Sequence, residues 1–283
     1  MQLAEPLVSG WHAQLDLEFE RRAVADAPRT VLAARHHDGP LVVQKALYPE
    51  GGEVCHIIVV HPPAGIAGGD HLQLTARVKP GAEVLMTTPG AAKWYRSAGA
   101  WARQHIELTV DDGAALEWLP QETIVFDGAI ADMRTDVALK GSARFIGWEV
   151  LCLGRAGSGE RFARGRCSML NRITRDGRPL WHERAAFEGS AKLLSSAAGL
   201  GGRTVCATLL AAAPGVDGLA LAPLREVLPR EGEAGITRLP GLLVARYLGD
   251  SSEAAREYFV ALWAMLRPSL AGRDAVAPRI WRT

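Results

Sequence analysis

Val78-Lys79-Pro80-Gly81-Ala82-Glu83-Val84 returns in altered form as Val110-Asp111-Asp112-Gly113-Ala114-Ala115-Leu116, and again as Leu139-Lys140-Gly141-Ser142-Ala143-Arg144-Phe145. Leu47-Tyr48-Pro49-Glu50-Gly51-Gly52-Glu53-Val54 has the same form upstream, and the first residues of the four copies lie 31, 32 and 29 positions apart. Each copy is a corner of small residues between two apolar runs. In the run before the second corner, His71, Gln73, Thr75 and Arg77 alternate with Leu72, Leu74, Ala76 and Val78. That period of two marks a strand with one buried face. A unit of near-constant length that cannot bury its apolar face alone must stack on its neighbours. The expected fold is therefore mainly β, with an irregular β-helical or stacked-strand core. The uneven spacing argues for a distorted solenoid, or a sandwich with helical character, and no hexapeptide repeat is present.

The segments between the corners carry unusual residues. Pro62 and Pro63 stop the run Cys55 to Val60, because proline donates no ladder hydrogen bond. Gly65, Gly68 and Gly69 then allow a tight turn that ends at Asp70. Thr88 to Gly99 holds Lys93, Trp94, Tyr95 and Arg96 between glycines. Glu122 and Glu149 interrupt apolar runs, and a carboxylate in that setting must face solvent or find a partner. Gly154-Arg155-Ala156-Gly157-Ser158-Gly159-Glu160 lacks the lysine-serine or lysine-threonine pair of a phosphate-binding loop and reads as a wide glycine turn. Cys167–Arg172 and Pro179–Phe187 suit a hairpin turning at Asp176-Gly177.

After Ser195 alanine and leucine take over. The sequence predicts a short helix over 223–228, a buried strand over 242–248, and a helix capped by Asp250 or Ser251 that Arg267-Pro268 ends. Ala255, Phe259, Leu262, Trp263 and Leu266 share one face of it. One domain over 1–283 is expected, with a β-rich core to about 190, a mixed α/β remainder, and this small helical portion at the C-terminal end.

Among 283 residues, 32 are basic and 31 acidic, for a formal charge of +1, and no long basic run occurs, so nucleic acid is not an expected partner. Met1 to Pro6 shows no positive n-region followed by an apolar stretch, and no run is long enough to span a bilayer, so a cytoplasmic location is expected. Cys55, Cys152, Cys167 and Cys206 form no C-x-x-C pair and read as reduced thiols. His36-His37 has no third ligand near it in sequence.

Two enzyme-like readings are available. A β-helical hydrolase or lyase would need paired carboxylates such as Glu122 with Asp127 or Glu149 with Glu160, and a nucleotide binder would use Gly154 to Glu160. Neither G-x-S-x-G nor H-E-x-x-H is present, and no acid–base constellation is evident, so a non-enzymatic role is expected.

His61 to Asp70, Thr88 to Gly99, Leu116 to Phe126, Gly154 to Phe162 and the ending Arg267-Pro268, Gly272-Arg273 and Pro278-Arg279-Ile280-Trp281 together closely resemble the UreD family of urease accessory proteins, called UreH in some organisms. The resemblance spans nearly the whole chain, and the segments come in family order. It implies an irregular β-helical fold and a chaperone that docks on apo-urease with a UreF-like protein and a UreG-like GTPase. It also implies no tightly bound cofactor, with nickel only in transit. Binding strength rises along the divalent series towards copper, and zinc is abundant, so closed delivery protects an empty site from the wrong metal. Within that picture Asp70, Glu122, Glu149 and Glu183 are expected to line a polar route, with Thr87 and Thr88 as neutral donors. The alternative for each carboxylate is an arginine partner or a turn to cap. Trp94, Tyr95 and Arg96 are expected either at a partner interface or as an aromatic corner closing the core, and Trp281 at a second interface or on the chain's own core.

Overall fold

The computed structural model describes residues 10–24 and 27–282; the reading of Met1 to Pro6 lies outside them. The chain opens with an antiparallel hairpin, β1 (His12–Val24) and β2 (Ala27–Asp38), then the short β3 (Val42–Val43) and β4 (Val54–Val60). It next winds round in passes. The first is β5 (His71–Val78), β6 (Glu83–Thr87) and β7 (Ala92–Trp94); the second is β8 (Ala102–Val110), β9 (Ala115–Trp118) and β10 (Thr123–Val125); the third is β11 (Ile130–Leu139) and β12 (Arg144–Leu153). Winding ends in the hairpin β13 (Arg166–Arg175) and β14 (Arg178–Glu188). Asp176 and Gly177 both take positive φ at its turn, which is the twist a two-residue hairpin needs. The remainder is α1 (Lys192–Ser195), β15 (Val205–Ala212), α2 (Leu221–Arg225), β16 (Glu233–Leu239), β17 (Leu242–Gly249) and α3 (Ser252–Ala271).

The corners read from the sequence are the bends of this winding. Ala82 N–H donates to Lys79 O, Ala114 N–H to Asp111 O and Ala143 N–H to Lys140 O, so each corner closes the same four-residue turn. Gly81 and Gly113 sit at its third position with φ of +72° and +71°, where a side chain would strain the backbone. The closing alanines are fully buried. Val78 pairs with Val110 and Val110 with Leu139, so two of the three sequence spacings are true pass lengths. The earliest copy departs from the pattern. Leu47 bridges antiparallel to His56, and the strand beneath Val78 is β1, through Phe19.

Stacking makes two large sheets. β1, β5, β8, β11 and β13 run parallel in a seven-stranded sheet that β2 and β14 close at its edges. β4, β6, β9 and β12 run parallel in a ten-stranded sheet, which β15, β17 and β16 extend antiparallel. A core containing Phe19, Leu74, Leu108, Leu116 and Phe145 fills the space between them. On the other face of the ten-stranded sheet, Trp148, Val150, Leu209 and Leu243 pack against Phe259, Leu262, Trp263 and Leu266 of α3. The architecture is the expected mainly-β stack with a C-terminal helix.

Ser251 caps that helix by accepting the Ala254 N–H. The helix does not stop at Arg267-Pro268 but runs to Ala271, where Gly272 turns left-handed and donates to Pro268 O. A proline in the last turn costs one hydrogen bond close to where the ladder ends anyway. Among the described residues no helix is long and apolar enough to cross a membrane.

Candidate functional site

The inner faces of both sheets turn polar towards the same end. Across the seven-stranded sheet the paired inner positions run Ile106, Thr135, Asn171, Glu183. Across the ten-stranded sheet they run Glu149, Thr208, Arg246. A cavity of about 310 Å³ lies between the sheets, and Thr135, Asn171, Glu149 and Thr208 belong to its wall. Further along it Gln104, Thr88, Gln121 and His61 stand among Leu72, Trp118 and Phe145. Such a space, largely apolar with a few placed polar groups, is the form ligand and transit sites take in proteins.

Glu149 is the chemically distinctive group. Burial pushes its pKa up to about 7, the nearby Glu183 adds to the rise, and a hydrogen bond from Asn171 Nδ2 at 3.2 Å to its Oε2 only partly opposes them. It is enclosed by protein, and the surface it keeps belongs to the cavity wall. Glu183 accepts from Arg246 at 2.8 Å. Arg246 also donates to Thr208 Oγ1 at 3.3 Å and lies 5.5 Å over the Trp181 ring. His61 Nε2 is buried without a hydrogen-bond partner, and burial lowers the pKa of that ring.

The residues singled out from sequence are dispersed. Asp70 is buried outside the wall and locks a turn, accepting the N–H groups of Trp11 at 2.8 Å and Ala67 at 2.7 Å. Glu122 lies near Cys152, on the side of the ten-stranded sheet that faces α3, where burial pushes that thiol's pKa up and the carboxylate adds to the rise. Thr87 donates to Leu119 O at 2.6 Å and accepts from Trp281 Nε1 at 2.8 Å, so its hydroxyl is committed. Thr88 is in the wall. The structure thus brings together Glu149 and Glu183 but not Asp70 or Glu122. Among the described residues no group of three His, Cys, Asp or Glu is placed to hold a metal ion.

The aromatic segment divides. Trp94 is 0% exposed and belongs to the core, so it presents nothing to a partner. Tyr95 is 37% exposed, meets Phe126 edge-on at 5.2 Å, and covers Gly65, where a Cβ would fall 2.1 Å from its ring. Arg96 is exposed. Trp281 packs on the chain's own core, 5.7 Å from Trp148 and 5.8 Å from Trp263. The two paired-carboxylate readings do not survive as pairs. Asp127 is held by Arg164, Glu160 by Arg155, and Glu149 stands apart in the cavity. The loop Gly154 to Glu160 is a glycine turn with a short 3₁₀ segment over Ala156–Ser158.

Sequence reasoning missed Asn171, Thr208 and Arg246. The signal was available, because Thr208 and Arg246 interrupt otherwise apolar strands at positions that alternation points inward. It also missed Arg267, which is 1% exposed. Arg267 donates to Glu117 at 2.8 Å and to both oxygens of Glu50 at 2.6 and 2.8 Å, and Glu50 contacts His56 Nε2 at 2.5 Å. Burial acts to raise Glu50, but His56 and Arg267 outweigh it and hold its pKa at about 2. This network pins α3 to β4 and β9.

The sequence profile of the UreD urease accessory protein family matches residues 12–282. A urease accessory protein UreD of Dechloromonas aromatica strain RCB is 56% identical over 277 residues, covering 96% of this chain and 95% of its own. One from Azoarcus sp. strain BH72 is 57% identical over 274 residues, with 97% and 95% covered. One from Pseudomonas aeruginosa is 50% identical over 274 residues, with 96% and 95% covered.

Proposed function

Because this chain belongs to the UreD urease accessory protein family, we propose that it serves urease maturation as a scaffold and an enclosed nickel conduit. It is an accessory protein, not an enzyme. In this reading it sits in the cytoplasm, docks on apo-urease with UreF-like and UreG-like partners, and passes nickel through its interior without keeping it. The observation that carries the reading is the cavity between the sheets with Glu149 in its wall. Thr88, Thr135, Asn171 and Thr208 add neutral oxygens, a hard donor set too sparse to retain the ion. Nickel favours the charged form of Glu149, whereas the empty site favours the protonated one, so arrival of the metal releases a proton there. Tyr95 and Arg96 remain candidates for a partner surface, since Tyr and Arg anchor interfaces.

The test is co-expression with urease and the other accessory proteins, followed by the metal content of purified urease. Glu149→Gln should lower nickel several-fold while the assembled complex still forms. Asp70→Asn, away from the cavity, should leave loading per folded complex unchanged. Equal loading by Glu149→Gln and the unsubstituted protein would reduce the role to a scaffold.

A further inference from the structure

Beyond Thr208, the inner row of the ten-stranded sheet has one more side chain, Arg246. The position paired with it on the next strand is Gly235, which offers nothing to cover it. Facing it, Glu183 lies on β14, the edge strand of the seven-stranded sheet. Both residues stand one strand beyond cavity-wall groups, Asn171 for Glu183 and Thr208 for Arg246. The Arg246 side chain is 52% exposed and Glu183 21%, so the pair has the cavity on one side and solvent on the other.

We propose that the Arg246–Glu183 pair closes this end of the cavity, and that Arg246 is the residue that selects what passes there. The assignment of nickel as the passenger rests on the conduit reading above; the closure itself does not. A guanidinium fixed across the opening repels any cation inside. Passage requires the cation to take Arg246's place on Glu183, and the attraction to one carboxylate doubles from a singly to a doubly charged ion at the same distance. A divalent ion therefore displaces the arginine where sodium or potassium gains nothing by doing so. The guanidinium already lies 5.5 Å over the Trp181 ring, a contact that still favours a cation when the carboxylate is given up. Glu149, on the cavity side, is the group from which the ion would step to Glu183.

Cys206 reports on the closure without any added label site. It lies two residues before Thr208 on the same strand face, close enough to Glu149, Glu183 and Arg246 to feel their charges, and it is half-buried while the other three cysteines are buried. The experiment measures its reaction with uncharged dithiodipyridine in the full chain, co-purified with its partners. Arg246→Ala and Glu183→Gln should each speed labelling by roughly ten-fold or more, since access limits a half-buried thiol. Arg246 favours the thiolate of Cys206, so its removal alone would slow the reaction, and acceleration in Arg246→Ala reports opening. Glu183 disfavours the thiolate, so Glu183→Gln counts only where its acceleration exceeds its effect on the thiolate fraction, read from the pH dependence of labelling. Arg246→Lys keeps the charge but loses the fork, and should fall between; it also stands in if Arg246→Ala does not fold. Rates unchanged in all three variants would overturn the closure. Metal analysis of co-expressed urease separates the two ideas. With the closure open, nickel per urease should fall. Faster labelling with unchanged nickel would overturn the conduit and leave the closure standing.

Discussion

The two sheets come from the same passes of chain, yet they live in different surroundings. The seven-stranded sheet turns one face to solvent, and along β5 and β8 that face alternates polar with buried apolar residues. The ten-stranded sheet is covered on both faces, by the core on one side and α3 on the other, and β12 and β15 are apolar almost throughout. A carboxylate placed on each shows what this does. On the open face of β11, Asp136 is partly desolvated, but Arg172, Arg134 and His105 outweigh that and hold its pKa at about 2. On the inner face of β12, Glu149 has no cation of its own and burial pushes it up to about 7. One charge is held by neighbouring cations at the surface; the other is buried in the cavity wall without one.

The comparison breaks first at Arg267, where a cation serves the doubly covered sheet. Arg267→Met leaves Glu50 and Glu117 buried without their counter-ion, and removal of one partner from such a network costs roughly 3–5 kcal/mol. In a chain of this size that lowers the melting temperature by about 10 °C, measurable by calorimetry. A loss under about 1 kcal/mol would mean that α3 is held by its apolar face alone.

Glu149→Gln comes next, with the opposite sign. The folded pKa is raised from 4.5 to about 7, so the stability that the protonated carboxyl contributes is full below pH 4.5 and is lost as pH rises to 7. At pH 8 the amide should stabilise the fold by on the order of 3 kcal/mol, and below pH 4.5 it should be neutral. Denaturant titrations at the two pH values check this. Equal effects at both would show that burial does not hold Glu149 protonated.

How far the sequence discloses this molecule follows the same divide. Alternation on the one-faced sheet and the recurring corners are local signals, and they disclose the winding directly. Sheet β15–β17–β16 is less legible, because an apolar run buried on both faces has no period to read. The site is less legible still. Glu149 is visible as a charge in an apolar strand, but Thr208 and Arg246 become meaningful only through the antiparallel pairings Glu149–Thr208 and Thr208–Arg246, which join residues 59 and 38 positions apart. Asp70 and Glu122 look alike from sequence, and only the third dimension sends one to a turn and the other to the helix side.

A smaller effect is expected at a corner that joins both sheets. Gly113 has φ +71° and open space around its Cα, with the nearest atom 3.9 Å from an added Cβ. Gly113→Ala should therefore cost only the backbone strain, about 1 kcal/mol, with no change in the structure of either sheet. A cost of several kcal/mol would show that the corner is packed more tightly than the open space implies.

The smallest effect belongs to Arg172→Ala on the open face. Its guanidinium meets Asp136 at 2.5 Å, as close as any contact in the Arg267 network, but it is 39% exposed and shares the carboxylate with Arg134 and His105. Exposed pairs contribute about 0–1 kcal/mol after side-chain entropy and screening, so the variant should lose less than about 1 kcal/mol, and less again in high salt. Asp136's folded pKa is below its unfolded 3.8, so its contribution is present above pH 4 and lost as pH falls towards 2. Arg172→Ala should therefore show its small loss at pH 8 and converge with the unsubstituted protein as pH falls towards 2. Set beside Arg267→Met, it isolates burial as the variable, because distance and chemical type are nearly the same in both. Comparable losses from the two substitutions would end the claim that the covered face, and not the pairing itself, sets the energy.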